Sequence, residues 1–132
     1  MSAKTIGLVL GIIFVLAAVL GMMGTSFFGP DGMFVTNIPH DIVHLVSGLL
    51  LIFVALKSAG SAATVLKVLG VVYLIVAVLG FVMGGEGMIL NLLAVNGAVN
   101  ILHVVFGIVL LGAGFMVGKK SQPMTGGMGM GM

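Results

Sequence analysis

Asn37-Ile-Pro-His-Asp-Ile-Val-His-Leu-Val-Ser-Gly48 is written again 59 positions on, as Asn96-Gly-Ala-Val-Asn-Ile-Leu-His-Val-Val-Phe-Gly107. Asn37 falls on Asn96, Asp41 on Asn100, His44 on His103 and Gly48 on Gly107. The same shift sets Val9-Leu10-Gly11 on Val68-Leu69-Gly70, and Ala18-Val19-Leu20-Gly21 on Ala77-Val78-Leu79-Gly80. Residues 5–56 align with 64–115 without a gap. Apolar identities arise readily in so apolar a chain. Matched Asn, His and Gly do not, and they predict a repeated helical hairpin.

The surrounding composition sets the solvent. Of 132 residues, 61% are hydrophobic and 6% charged, with a mean hydropathy of +1.39. A soluble domain carries about a quarter charged residues, so this chain has too few to cover a water-facing surface. The length suits four helices of about 20 apolar residues each, and no separate soluble domain is expected. The net charge of +2 rests on five lysines. They are scattered, without the basic stripe of a nucleic-acid binder, so no nucleic-acid partner is expected. The chain has no cysteine, which excludes disulfides, thiolate metal sites and cysteine nucleophiles.

Spans are expected at about residues 5–24, 39–57, 64–84 and 98–118. Together they make one transmembrane domain over 1–120. A lysine followed by an apolar run can be a cleaved leader, but the first run matches the internal third one and is expected to be retained. In the first long loop, Gly29-Pro-Asp-Gly32 is a turn signal. Asn37 reads as a helix N-cap and Pro39 as a first-turn proline. Residues 58–63 read as a short connector. Residues 85–95 are too apolar for a free loop and are expected along the membrane interface. Residues 121–132 form a Gly/Met tail, expected to be flexible. Thioethers of Met124, Met128, Met130 and Met132 are a weaker candidate for Cu(I).

Lys4, Lys57, Lys67, Lys119 and Lys120 lie towards one set of helix ends, whereas Asp31, Asp41 and Glu86 lie towards the other. Lysines favour the cytoplasmic side. Both termini are therefore expected in the cytoplasm, and both histidine motifs at the outer ends of the second and fourth helices. Two repeats running in the same sense relate by a pseudo-twofold axis along the membrane normal. The expected fold is an all-α integral membrane four-helix bundle of two tandem hairpins.

Positions 37, 41, 44 and 48 are spaced four, three and four apart, and 96, 100, 103 and 107 repeat the pattern. On a helix each set forms one stripe. His44 stands about 10 Å along the axis from Asn37 at 1.5 Å per residue, at a depth where unpaired polar groups are costly. The structural reading makes the stripes a symmetric polar clamp between helices 2 and 4. In it Asn37 and Asn96 are caps, Asp41 and Asn100 bond histidines, and Gly48 and Gly107 allow close approach. No cofactor is then needed, and no enzyme is expected: the chain has no phosphate loop, nucleophile elbow or carboxylates at catalytic spacing. The alternative is a haem or metal site on His44 and His103, with His40 and Asp41 as added metal ligands. A third reading takes His40 and Asp41, which the second copy lacks, as a titratable site for protons or ions. Gly7-x-x-x-Gly11, Gly80-x-x-x-Gly84 and Gly114-x-x-x-Gly118 match small-residue packing spacing. Tyr73, aligned with Phe14, reads as a packed aromatic.

The stretches Gly70-Val-Val-Tyr-Leu-Ile-Val-Ala-Val-Leu-Gly-Phe81, Asn91-Leu-Leu-Ala-Val-Asn96 and Asn100-Ile-Leu-His-Val-Val-Phe-Gly107 resemble a prokaryotic membrane family catalogued as domain of unknown function 4383. Residues 37–48 look like its first-repeat counterpart, and the resemblance covers about residues 5–117. It implies four helices in a prokaryotic inner (plasma) membrane, and no activity. The family pattern has Asn three residues before the histidine; Asn100 fits and Asp41 departs. The partners expected are the lipid bilayer and a second copy or another membrane protein.

Overall fold

The computed structural model describes residues 2–83 and 85–121, with side-chain surroundings as far as residue 117. Four helices carry the chain: α1 (Ala3–Met23), α2 (Ile38–Lys57), α3 (Ala59–Val82) and α4 (Gly97–Ser121). All four are long and apolar enough to cross a bilayer, at 20 to 24 residues each over the apolar stretch. At 1.5 Å per residue, 20 residues span about the 30 Å of a hydrocarbon core. Their outward side chains, Ile12, Leu16, Val46, Phe53, Ile75 and Ile108 among them, are exposed and apolar, as lipid contact requires. The chain is a multi-span helical membrane protein.

Helix ends follow from local chemistry. The Ser2 hydroxyl accepts from the Thr5 N–H at 3.1 Å and opens α1. Gly24 closes it in the left-handed region at φ 68°, its N–H bonding Gly21 O, a conformation that suits a residue without Cβ. The expected connector over 58–63 is not present. Ser58 alone joins the second and third helices: its N–H donates to Val54 O at 2.9 Å, and its hydroxyl accepts from Ser61 N–H at 3.0 Å. One residue thus satisfies orphan groups of both helices. Ala59, Ala62 and Ala63 behind it carry the best helix former, so the helix starts at once.

The largest interfaces are α1 with α2 and α3 with α4, and α2 also lies against α3. Small residues make both pairs close. A Cβ on Gly48 would stand 2.6 Å from Gly11 O and 2.9 Å from Val15 N. One on Gly7 would meet Ala55 Cβ at 2.9 Å. In the second pair, Gly70 lies under the Leu111 backbone and Gly107 under Leu74, with added-Cβ distances of 2.6 and 2.7 Å. Gly48 and Gly107 therefore do not bring α2 to α4, as the clamp reading expects. Each joins the two helices of its own hairpin, because the stripe turns its glycine towards the sequence neighbour. Gly114 packs on Lys67 and Ala63. Gly84, the surroundings of Gly118, Lys119 and Lys120, and the Met-rich segment 122–132 lie outside the described residues.

The long connections are ordered by short strand pairs. β1 (Phe28–Gly29) pairs in parallel with β2 (Phe34–Val35). The Gly29-Pro-Asp-Gly32 turn is closed by Gly32 N–H to Gly29 O at 3.2 Å. β3 (Gly87–Ile89) and β4 (Leu93–Val95) form an antiparallel hairpin, more regular than the apolar interfacial segment expected there. Its turn puts Leu90 and Asn91 at φ 54° and 56°, with Leu92 N–H bonding Ile89 O at 3.0 Å. Asn tolerates that region; leucine rarely enters it. Ile89 and Val95 anchor the hairpin on Val99 of α4.

Two stability changes follow in detergent. Gly48→Val drives a branched side chain into the α1 backbone and lowers stability by about 1–3 kcal/mol or more. Gly112→Ala, where an added Cβ meets nothing within 4 Å, leaves the melting temperature unchanged or raises it, by up to about 1 kcal/mol of helix propensity.

Candidate functional site: a polar seam at the loop end

Asn37 and Asn96 do what their sequence positions predict and something further. As caps, Asn37 Oδ1 accepts from His40 N–H at 3.2 Å, and Asn96 Oδ1 from Val99 N–H at 3.0 Å. Each amide also reaches the opposite loop. Asn37 Nδ2 donates to Leu92 O at 3.0 Å, and Asn37 Oδ1 accepts from Ala94 N–H at 3.1 Å. Asn96 Nδ2 donates to Met33 O at 2.9 Å, and Asn96 Oδ1 accepts from Val35 N–H at 3.3 Å. Met33 and Leu92, like Val35 and Ala94, stand 59 positions apart. The two loops are thus latched crosswise, each to the other hairpin's helix start.

Asp41 and Asn100 sit one turn deeper, both fully buried. Each lies against a glycine, Asp41 against Gly21 of α1 and Asn100 against Gly80 of α3, so closely that a Cβ there would overlap the polar group. Neither bonds a histidine, which corrects the expectation. Asn100 Nδ2 donates to Gly85 O at 2.9 Å, capping the chain just past α3. A carboxylate has no such donor. Both Asp41 oxygens are buried without a hydrogen-bond partner. The buried Thr36 hydroxyl lies beside them without meeting hydrogen-bond geometry.

The histidines converge. His40, His44 and His103 are buried, and one ligand nitrogen from each lies within 4.8 Å of the others. His40 Nδ1 contacts Ala94 O at 2.6 Å, so this nitrogen carries the proton and donates. His40 Nε2 then carries the lone pair and accepts from His103 Nε2–H, 3.4 Å away. His44 and His103 meet edge to face, with ring centroids 6.0 Å apart. Their Nδ1 atoms are buried without partners. His40 comes from the titratable candidates and joins the pair; Asp41 does not. Beneath the rings, Tyr73 Oη donates to Ser47 Oγ at 3.1 Å, and its ring lies 5.0 Å from Phe14. A cavity of about 50 Å³ opens between His44, His103, Tyr73, Phe14 and Phe106.

Residues 4–116 match the family described as Domain of unknown function (DUF4383). The chain belongs to this family. No curated protein and no solved structure matches it.

In this DUF4383 member, Thr36 and Ser47 are the seam residues that sequence reading passed over. Neither recurs at the 59-residue shift, where Val95 and Phe106 stand. Ser47 had one available signal, its position three residues past His44 on the same helical face.

Asp41→Asn supplies the donor that Asn100 uses and removes an unpaired buried carboxylate. It is expected to stabilise the protein by about 1–3 kcal/mol, seen as a higher melting temperature at neutral pH. Asn100→Asp is expected to lower it by a similar amount.

Proposed function

We propose that this is a non-enzymatic multi-pass membrane protein whose loop end is a braced binding platform, built from two tandem hairpins. The observation that carries the reading is the crossed pair of asparagine latches. Six hydrogen bonds from two amides, the two caps among them, fix both loops and both helix starts. Recurrence of the contacts at a shift of 59 supports the tandem repeat: Gly21 on Asp41 beside Gly80 on Asn100, and Gly11 on Ile52 beside Gly70 on Leu111. The seam holds imidazoles, amides, hydroxyls and one carboxylate, and among the described residues no histidine is hydrogen-bonded to a hydroxyl, which favours binding over turnover. A haem on His44 and His103 would require the walls of a cavity of about 50 Å³ to part around a porphyrin. The platform therefore favours something small, or a membrane protein or second copy docking on its outer surface.

Orientation follows the lysines, with both termini in the cytoplasm of a cell bounded by an inner (plasma) membrane. Since the chain has no cysteine, single introduced cysteines report sidedness directly. Asp31→Cys should react with an impermeant maleimide on intact cells, and Ser61→Cys only after lysis. The reverse pattern overturns the orientation. Asn37→Ala and Asn96→Ala each remove a cap and a latch, and should cost about 1–3 kcal/mol. Protease should then cut the opposite loop: 85–95 for Asn37→Ala, 25–36 for Asn96→Ala. Equal protection of both loops in both variants would sink the brace.

A further inference from the structure

The latches account for the asparagines and leave three imidazoles unexplained. Packing alone would place one buried histidine with both nitrogens satisfied. Here three buried histidines converge, and two Nδ1 atoms have no partner. His40 is held in one tautomer by the Ala94 carbonyl at 2.6 Å. Metal-ligating histidines are commonly oriented by donating the other N–H to a backbone carbonyl. That bond aims the His40 Nε2 lone pair at His103 Nε2, 3.4 Å away. Two nitrogens bound at about 2.0–2.1 Å to one tetrahedral ion stand roughly 3.3 Å apart. The third ring, His44, has its ligand nitrogen within 4.8 Å of both, and the set closes as that nitrogen draws in towards the other two.

The geometry points to a mononuclear transition-metal site with His40, His44 and His103 as its three protein ligands. Three imidazoles without thiolate suit zinc or copper. Three ligands rather than four leave one coordination position open, and the adjoining cavity of about 50 Å³ has room for a water or another small ligand there, since one water needs about 10–15 Å³. Asp41 lies outside the set, turned to Gly21. His40 is one turn from the helix start, about 5 Å along the axis from Asn37, so the site lies nearer the loop end than the bilayer centre. The site does not depend on the brace acting as a docking platform, and its test reads metal, not loop protection.

Protein purified without a histidine tag is stripped with chelator, loaded with Zn²⁺ in mild detergent, and gel-filtered before elemental analysis. One zinc per chain is expected, with a higher melting temperature in its presence. Co²⁺ in its place should give the visible d–d bands of a four-coordinate nitrogen site. His44→Phe and His103→Phe should each weaken binding by at least about tenfold, in line with loss of a ligand, while Asp41→Asn retains it. Should either histidine variant fail to fold, the stoichiometry and cobalt spectrum of the native chain decide. Substoichiometric zinc and octahedral, aquo-like cobalt in the native protein overturn the proposal. So does undiminished binding by folded His44→Phe or His103→Phe.

Discussion

In a hydrocarbon solvent every backbone polar group needs a partner inside the protein, and the loop end of this bundle is where that constraint bites. Four helix ends and two irregular connections meet there. The chain answers with two asparagines that each serve three backbone groups: their own helix start and two positions on the opposing loop. The histidines inherit their geometry from this arrangement. His40 bonds Ala94 because Asn37 holds Ala94 in place from the same helix turn. The imidazole cluster, the cavity below it and the register of β3 with β4 all rest on those amides.

Two kinds of closeness divide the labour along the bundle. Glycines at 7, 11, 48, 70 and 107 let helices approach until backbone meets backbone or Cβ, which gains dispersion contact where lipid offers no hydrophobic drive between helices. Glycines at 21 and 80 do something different. They clear space for a polar side chain from the neighbouring helix, so that amide or carboxylate is sealed from lipid. The first kind sets spacing within each hairpin. The second admits polarity at depth.

Much of this was legible in the chain itself. The four spans, the Asn caps, the Gly29–Gly32 turn and the shared depth of His44 and His103 follow from hydropathy, capping chemistry and the 59-residue shift. Partner choice did not. A stripe at 37, 41, 44 and 48 names a face, but its members, three or four residues apart, still differ by about 40–60° around a helix of 3.6 residues per turn. Gly48 and Asp41 therefore meet α1, whereas His44 meets His103. The third imidazole came from outside the repeated set, since Val99 stands where a second His40 would be. The one-residue turn at Ser58 was hidden by composition: serine, glycine and alanine read as a loop, yet the alanines extend a helix once Ser58 has capped it.

That single-residue turn limits how the bundle can loosen. α2 ends at Lys57 and α3 begins at Ala59, so no slack separates them. With about 3.5 Å of reach in one extended residue, the end of α2 and the start of α3 stay adjacent for as long as both helices persist. The first and last helices are tethered by loops of a dozen or so residues, long enough to let each swing from its partner if the loop end opens. The crossed asparagines thus restrain the slack end of the bundle, and Ser58 fixes the end that has none.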